Sequence, residues 1–180
     1  MRKLILKIHA SLDGYVRGPD GDVMDWVFKT YDDELQQWEV ATLWAAGTHI
    51  MGRKLYEEMA AYWPNSTEPF APPMNEIPKV VFSHTLSESD WSGTRFASGD
   101  PAEQIARLKQ EPGKPILLHG GPTFMQALAE RDLIDEYAVI VHPVVLAGGL
   151  PLFAQAAELA LLEARPFPAG AVLLRYGRAG

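Results

Sequence analysis

Thr48-His49-Ile50-Met51-Gly52-Arg53-Lys54-Leu55-Tyr56-Glu57 passes from a run that reads as a buried strand, through one glycine, into a run that reads as a helix. Pro115-Ile116-Leu117-Leu118-His119-Gly120-Gly121-Pro122-Thr123-Phe124 does the same through two. A strand that turns through glycine into a helix presents unpaired backbone N–H groups and the positive end of a helix dipole at one sheet edge. Such an end attracts anions, and two of them on one sheet suit a ligand with two separated phosphates. The pattern predicts a phosphorylated cofactor, a dinucleotide above all.

Outward from these turns the chain alternates between the two periodicities. Residues 3–10 are rich in Leu and Ile and predict a central strand. Residues 11–30 read as a polar loop, with turn signals at Asp13-Gly14, Gly18-Pro19 and Asp20-Gly21. Leu35, Trp38, Leu43 and Trp44 approximate one face of a helix over about 31–46. A second helix runs over about 53–61, and 62–78 has prolines and no periodicity, which predicts a loop packed through Trp63 and Phe70.

Further on, 79–83 and 94–97 read as strands, 101–110 as a helix, 115–119 as a strand and 123–131 as a helix. Asp100 is placed to cap the helix that Pro101 opens. A strand over 136–142 leads into a loop with Gly148-Gly149, and 159–167 with 171–176 read as a terminal strand pair. Strands alternating with helices through residue 131 imply right-handed crossovers and a mostly parallel sheet, and the terminal pair implies an antiparallel edge. The expected fold is a single α/β domain without repeats or linkers.

Composition narrows the partners. The 180 residues, 47% of them hydrophobic, suffice for one well-buried core. The absence of cysteine removes disulfides, cysteine nucleophiles and thiolate metal sites. The start, Met1-Arg2-Lys3 before Leu4-Ile5-Leu6-Lys7-Ile8, is too short and too charged for a signal peptide or membrane span. A cytoplasmic protein is therefore expected. A formal net charge of −7 argues against nucleic acid. It leaves room for a nucleotide, because Arg53 and Lys54 sit together at the first glycine turn and close cations outweigh distant, screened charge.

In open α/β sheets ligands gather at the carboxyl ends of the strands. Those ends here carry Ser11-Leu12-Asp13-Gly14, Gly52-Arg53, Ser83-His84, Gly120-Gly121 and the loop after His142. Their order, together with Asp25-Trp26, Lys79-Val80-Val81-Phe82-Ser83, Asp135-Glu136 and Pro143-Val144-Val145-Leu146-Ala147-Gly148-Gly149, resembles the dihydrofolate-reductase-like superfamily. Within it the chain is most similar to stand-alone relatives of the reductase domain of riboflavin biosynthesis, over about residues 3–177.

That resemblance implies a three-layer α/β/α sandwich, NADPH across the strand ends, a small-molecule substrate and a homodimer. Position by position, it implies that Gly52, Arg53 and Lys54 approach the cofactor phosphates, and that Ser83 and His84 lie by the 2′-phosphate. It also implies that Gly120, Gly121, Pro122 and Thr123 wrap the pyrophosphate, while Ala10, Tyr15, Val16 and Gly18 border the nicotinamide. The activity implied is hydride transfer to a small heteroaromatic or pterin-like compound. Two alternatives stand beside it: a nucleotide-binding module without turnover, and the 5-amino-6-(5-phosphoribosylamino)uracil reductase step. Residues 31–44 carry no Arg, Lys or His, so a phosphate-bearing substrate would lack a cation on that side.

Reduction of a C=N or C=O bond also needs a proton. In the superfamily a carboxylate follows the loop tryptophan by about five positions, which from Trp26 falls on Tyr31, with Asp32 one further on. Asp32 is one candidate acid, equally readable as a helix cap, and Asp13 is the other, where the turn reading outweighs the catalytic one. Trp26 reads either as a wall of the substrate pocket or as a residue packed on the core. His9 reads as a satisfied strand residue, and the scattered histidines have no ligand spacing, so no metal is expected. No Gly-x-Ser-x-Gly elbow supports a hydrolase, and Ser83 and His84 would point to opposite faces of a strand.

Overall fold

The first strand, β1 (Leu4–Ser11), lies inside an eight-stranded sheet in the computed structural model, which describes residues 1–21 and 25–179. Its flanks are β6 (Ile116–His119) and β7 (Glu136–His142), both parallel to it. Beyond β6 come β3 (Thr48–Gly52), β4 (Lys79–Phe82) and β5 (Thr94–Ala97), again parallel. Beyond β7 come β10 (Val172–Arg178) and the edge strand β9 (Leu159–Pro166), both antiparallel. The order is β5-β4-β3-β6-β1-β7-β10-β9. The mostly parallel sheet with an antiparallel C-terminal edge is as expected from the sequence.

Helices cover both faces, so the strands read as apolar on both sides rather than alternating. On one face α5 (Pro101–Gln110) and α6 (Pro122–Ala129) pack Ile105, Leu108, Met125 and Leu128 against Leu4, Leu6, Ile8 and Leu118. On the other, α2 (Asp33–Ala45), α3 (Arg53–Tyr62) and α4 (Ala71–Glu76) bring Leu43, Tyr56 and Met74 to Met51, Val81 and Leu117. Leu35 of α2 continues that layer over Ala138, Ile140 and Leu173. This is the three-layer sandwich.

Two stretches read as loops hold short elements. Residues 11–30 contain β2 (Tyr15–Arg17), paired with β8 (Leu150–Pro151), and α1 (Asp25–Phe28). Residues 62–78 contain a 3₁₀ turn at Trp63–Asn65 and α4, whose prolines fall in the first turn, where no N–H partner is missed. These elements are too short for periodicity to show, and tertiary contacts hold them. The end of α4 is held by Lys79: its fully buried Nζ donates to the carbonyls of Met74, Asn75 and Ile77 at 2.9, 3.1 and 3.0 Å. Burial pushes that ammonium down to about 8.

Candidate active site

Four helices begin at the carboxyl edge of the parallel strands, and they begin in two ways. Asp32 caps α2 by accepting from Leu35 N at 2.8 Å, with Asp33 and Glu34 in the first turn. Asp100 accepts from Ala102 N at the head of α5, with Glu103 following. By contrast, α3 starts at Gly52 and α6 at Gly121, with no side-chain cap and no acid in either first turn. Their leading N–H groups face the edge with only glycine before them, which is the geometry that receives phosphate.

Gly120, Gly121 and Pro122 also border a cleft of about 560 Å³ on the α2–α4 face of the sheet. Its walls are largely apolar, from Val16, Val27, Phe28, Leu43, Leu55 and Met59 to Trp63, Phe70 and Met74. Its floor is polar. Lys7 and His9 rise from β1, His119 from β6, and Tyr31 and Glu39 from the start and middle of the α2 region.

Glu39, 2% exposed, is the hub of that floor. Lys7 Nζ and Tyr31 OH both donate short hydrogen bonds to its carboxylate, and His9 Nε2 lies 3.0 Å from Oε1. Burial works to raise its pKa, yet the Lys7 charge and the His9 bond hold it well below the usual carboxylate range. The Tyr31 hydroxyl moves the other way, raised by burial and by the Glu39 charge, and so keeps its proton. Behind Glu39, His9 Nδ1 meets His142 Nε2 at 2.9 Å, and His142 Nδ1 meets Thr30 Oγ1 at 2.8 Å. Burial, then His9, push His142 down to about 4. His49 and His119 stand edge to face at 4.7 Å between ring centroids, with His49 Nδ1 and His119 Nε2 lacking a hydrogen-bond partner. Burial pushes His49 down to about 4 and His119 well below its ordinary value.

The sequence-derived candidates divide. Val16, Gly120, Gly121 and Pro122 line the cleft, while Gly52 places Leu55 there one turn into α3. Arg53 and Lys54 are exposed at the head of α3, and Arg53 Nη1 donates to Thr85 Oγ1 at 3.1 Å, just past Ser83 and His84. Ser83 Oγ accepts from Thr85 N and Leu86 N, which shapes that turn, and His84 is exposed. Thr123 is exposed in the first turn of α6, and Ala10 is buried at the end of β1. Tyr15 N donates to Ser11 Oγ at 2.9 Å. Gly18 is buried beneath Gly149, where an added Cβ would lie 2.7 Å from Gly18 C and 2.1 Å from Arg17 O, so only glycine fits.

Neither proposed acid lies on the cleft. Asp13 accepts from Ser11 Oγ at 2.6 Å and from Leu146 N and Ala147 N at 3.1 and 2.8 Å, tying the first loop to the one after β7. Asp32 accepts from Leu35 N and from Ala169 N at 2.7 Å. Both are structural anchors, because backbone donors take up their oxygens. Trp26 is buried with its ring edge-on to His142 at 5.4 Å, and it walls the histidine pair while Val27 and Phe28 line the cleft. Lys7, Glu39, Thr30 and His142 are not among the residues the sequence singles out, Tyr31 enters there only as the place where the superfamily's carboxylate would fall, and His9 only as a satisfied strand residue. A signal existed: Lys7 and His9 are two apart on a strand otherwise apolar, so they share one buried face that needs a counter-charge.

Among the described residues no group of three or more His, Cys, Asp or Glu could hold a metal ion, and no described helix is long and apolar enough to cross a membrane. A mixed α/β sandwich with bare glycine turns at the carboxyl edge and a lined cleft beside them defines a dihydrofolate-reductase-like domain. More narrowly, the RibD C-terminal domain matches residues 2–173, and the chain belongs to that reductase-like family.

Two relatives from Bacillus subtilis (strain 168) are uncharacterized proteins. YyaP is 32% identical over 187 residues, covering 97% of this chain and 94% of that one. YwjB is 31% identical over 152 residues, covering 84% and 83%. In fold, the chain is similar to a putative riboflavin biosynthesis protein from Shewanella sp. PV-4, with a TM-score of 0.79, 23% identity and 99% of both chains covered. It is also similar in fold to a diaminohydroxyphosphoribosylaminopyrimidine deaminase/5-amino-6-(5-phosphoribosylamino)uracil reductase from Thermotoga maritima. That likeness has a TM-score of 0.69 and 13% identity, covering 99% of this chain and 57% of that one.

Proposed function

We propose that the protein is an NADPH-dependent reductase that delivers hydride to a small, phosphate-free heteroaromatic or pterin-like compound held in the cleft. The observation that carries this reading is the pair of uncapped helix starts, Gly52 and Gly121, beside an apolar cleft with a charged, hydrogen-bonding floor. The residues fit the cofactor: bare N–H groups at both turns suit its diphosphate, and Arg53, held at Thr85 beside the Ser83 turn, suits a 2′-phosphate. When bound, the nicotinamide would supply the hydride. The apolar walls would exclude water and orient a flat ring, and Lys7 would face its polar edge from the floor.

Charge favours a substrate without phosphate. The charged lining comprises Glu39, Glu58 and Glu68 against Lys7 and Arg17, and Lys7 is already paired with Glu39. That argues against the phosphoribosyl substrate of the riboflavin step. The nucleotide-binding module without turnover draws support from Asp13 and Asp32 being spent on backbone groups; consumption of bound NADPH on adding candidate dihydropterins separates the two. We infer a cytoplasmic homodimer, in keeping with the cysteine-free composition and with the exposed Leu161 and Leu162 on the edge strand β9. Light scattering reads the oligomeric state. Calorimetric titration with NADPH and NADH in parallel tests the cofactor: tight, NADPH-selective binding is expected, and binding of neither overturns the reductase.

A further inference from the structure

The polar groups under the cleft form one unbroken hydrogen-bonded line. It runs from half-buried Thr30 to His142 (2.8 Å), from His142 to His9 (2.9 Å), from His9 to Glu39 (3.0 Å), and from Glu39 to Lys7 and Tyr31. The ionised carboxylate sets the direction of every bond in it. Glu39 can only accept, so a neutral His9 carries its proton on Nε2 and its Nδ1 accepts. His142 must then carry its proton on Nε2, and its own Nδ1 accepts from the Thr30 hydroxyl. Every donor points inward, towards Glu39. Trp26, packed against His142, closes the side of the line, so His142, which does not line the cleft, meets water through Thr30.

We propose that Thr30, His142 and His9 are a one-way proton line that resupplies Glu39, and through it Lys7, with the proton that a reduction in the cleft consumes. This rests on the reductase reading above. A nicotinamide bound beside the cleft would supply hydride to the ring carbon of a C=N or C=O group, leaving the π pair on the heteroatom and one proton for this chain's own residues to deliver. That heteroatom takes a proton from Lys7 Nζ, so the substrate gains one hydride and one proton, two electrons and two hydrogens in all, while the nicotinamide would lose the hydride and be oxidised. Lys7 is the donor because Tyr31 is aimed at Glu39 and holds its proton, whereas an ammonium has two further N–H groups after serving Glu39. The neutral amine recovers a proton through Glu39 from His9 Nε2. His9 takes one at Nδ1 from His142, His142 takes one at Nδ1 from Thr30, and Thr30 takes one from water. Each ring ends with its proton on Nδ1 and regains the starting arrangement by turning over about its Cβ–Cγ bond and exchanging that proton to the other nitrogen before the next turnover. Lys7 is the group placed to touch substrate; Thr30, His142 and His9 act through it.

The test is long-range proton–nitrogen NMR of the histidine rings in the full, ligand-free chain, with exchange of the ring protons against water. Both His9 and His142 are expected to carry the proton on Nε2 near pH 7.5. A proton resting on Nδ1 of either ring overturns the line, and this holds whether or not any variant folds. Thr30→Val, nearly isosteric, should slow exchange of the His142 ring proton about tenfold or more, since exchange from that buried ring must then await local opening. Thr30→Ser should restore it. His49 and His119, on the same sheet face but off the line, should not respond. Unchanged exchange in Thr30→Val also overturns the proposal. The NADPH titration decides the reductase reading separately, so failure of one is not mistaken for failure of the other.

Discussion

Four helices leave the same edge of one sheet, and they divide evenly. The starts of α2 and α5 are closed by Asp32 and Asp100 and followed by acids, which satisfy the leading N–H groups and the dipole from within. The starts of α3 and α6 have neither, and Arg53 and Lys54 even oppose the dipole of α3. A helix start left open is less stable than a capped one, and the chain keeps two open side by side where the strands end. The difference separates ends that the chain closes with its own side chains from ends that, on the reading proposed above, an anion would close.

The largest expected break in this contrast comes from closing an open end. Gly121 has an extended backbone, and an added Cβ would meet Leu55 at an ordinary 3.6 Å, so side chains fit there. Gly121→Asp should lower NADPH affinity by about a hundredfold or more, about 2.7 kcal/mol, while raising Tm by ~2–4 °C through the new cap. Gly121→Val should lose affinity likewise without the gain in Tm. Retained affinity in either folded variant, read by calorimetry, removes the anion role of α6.

Next in size, Arg53→Ala should weaken NADPH by about tenfold while changing NADH little, as loss of one charge-assisted contact implies. Equal losses would detach Arg53 from the 2′-phosphate. Opposite behaviour is expected at a closed end. Asp32→Ala should lower Tm by roughly a few degrees and leave NADPH affinity unchanged, because Asp32 bonds only backbone of α2 and of the β9–β10 turn. A change in affinity would mean that the capped ends also serve the ligand.

Acid sharpens the contrast further. His49 and His142 are pushed from 6.5 down to about 4, so the unfolded chain binds more protons between those values. Stability should therefore fall as pH drops from 6.5 towards 4, which Tm against pH will show. The backbone bonds from Leu35 and Ala169 lower the Asp32 pKa, so its contribution is present above 3.8 and disappears as pH falls through its folded value. The smallest effect follows: Asp32→Asn, which still caps, should differ slightly from wild type at neutral pH and converge with it in strong acid. A gap that persists there would show that the cap acts through shape rather than charge.

The contrast between open and closed ends also marks what the sequence could tell. Asp100-Pro101 and the glycines at 52 and 120–121 are local signals, and the elements they announce begin where expected. β2, β8, α1 and α4 are short, and partners far along the chain help hold them, as β8 does β2 and Trp91 Nε1 does Asn75 of α4, so no window of sequence displays them. At the candidate site, the glycine turns at the strand ends were legible because backbone makes them. The floor was not: Lys7, Glu39 and His142 meet only because β1 lies beside β7 and beneath α2. Asp32 stands out at the start of α2 because caps are local signals, whereas the buried carboxylate, Glu39, lies two turns further along the helix.

The seat of β1 between β6 and β7 has a consequence for how the molecule is made. Leu4 pairs with Ile116 and Ile5 with Glu136, so the earliest strand finds its neighbours only after more than a hundred further residues. On a ribosome adding about 5–20 residues per second, Leu4-Ile5-Leu6 would wait on the order of ten seconds without a partner. The strand that organises the finished sheet is thus among the last to be seated, and during synthesis it is the segment most in need of shelter from other nascent chains.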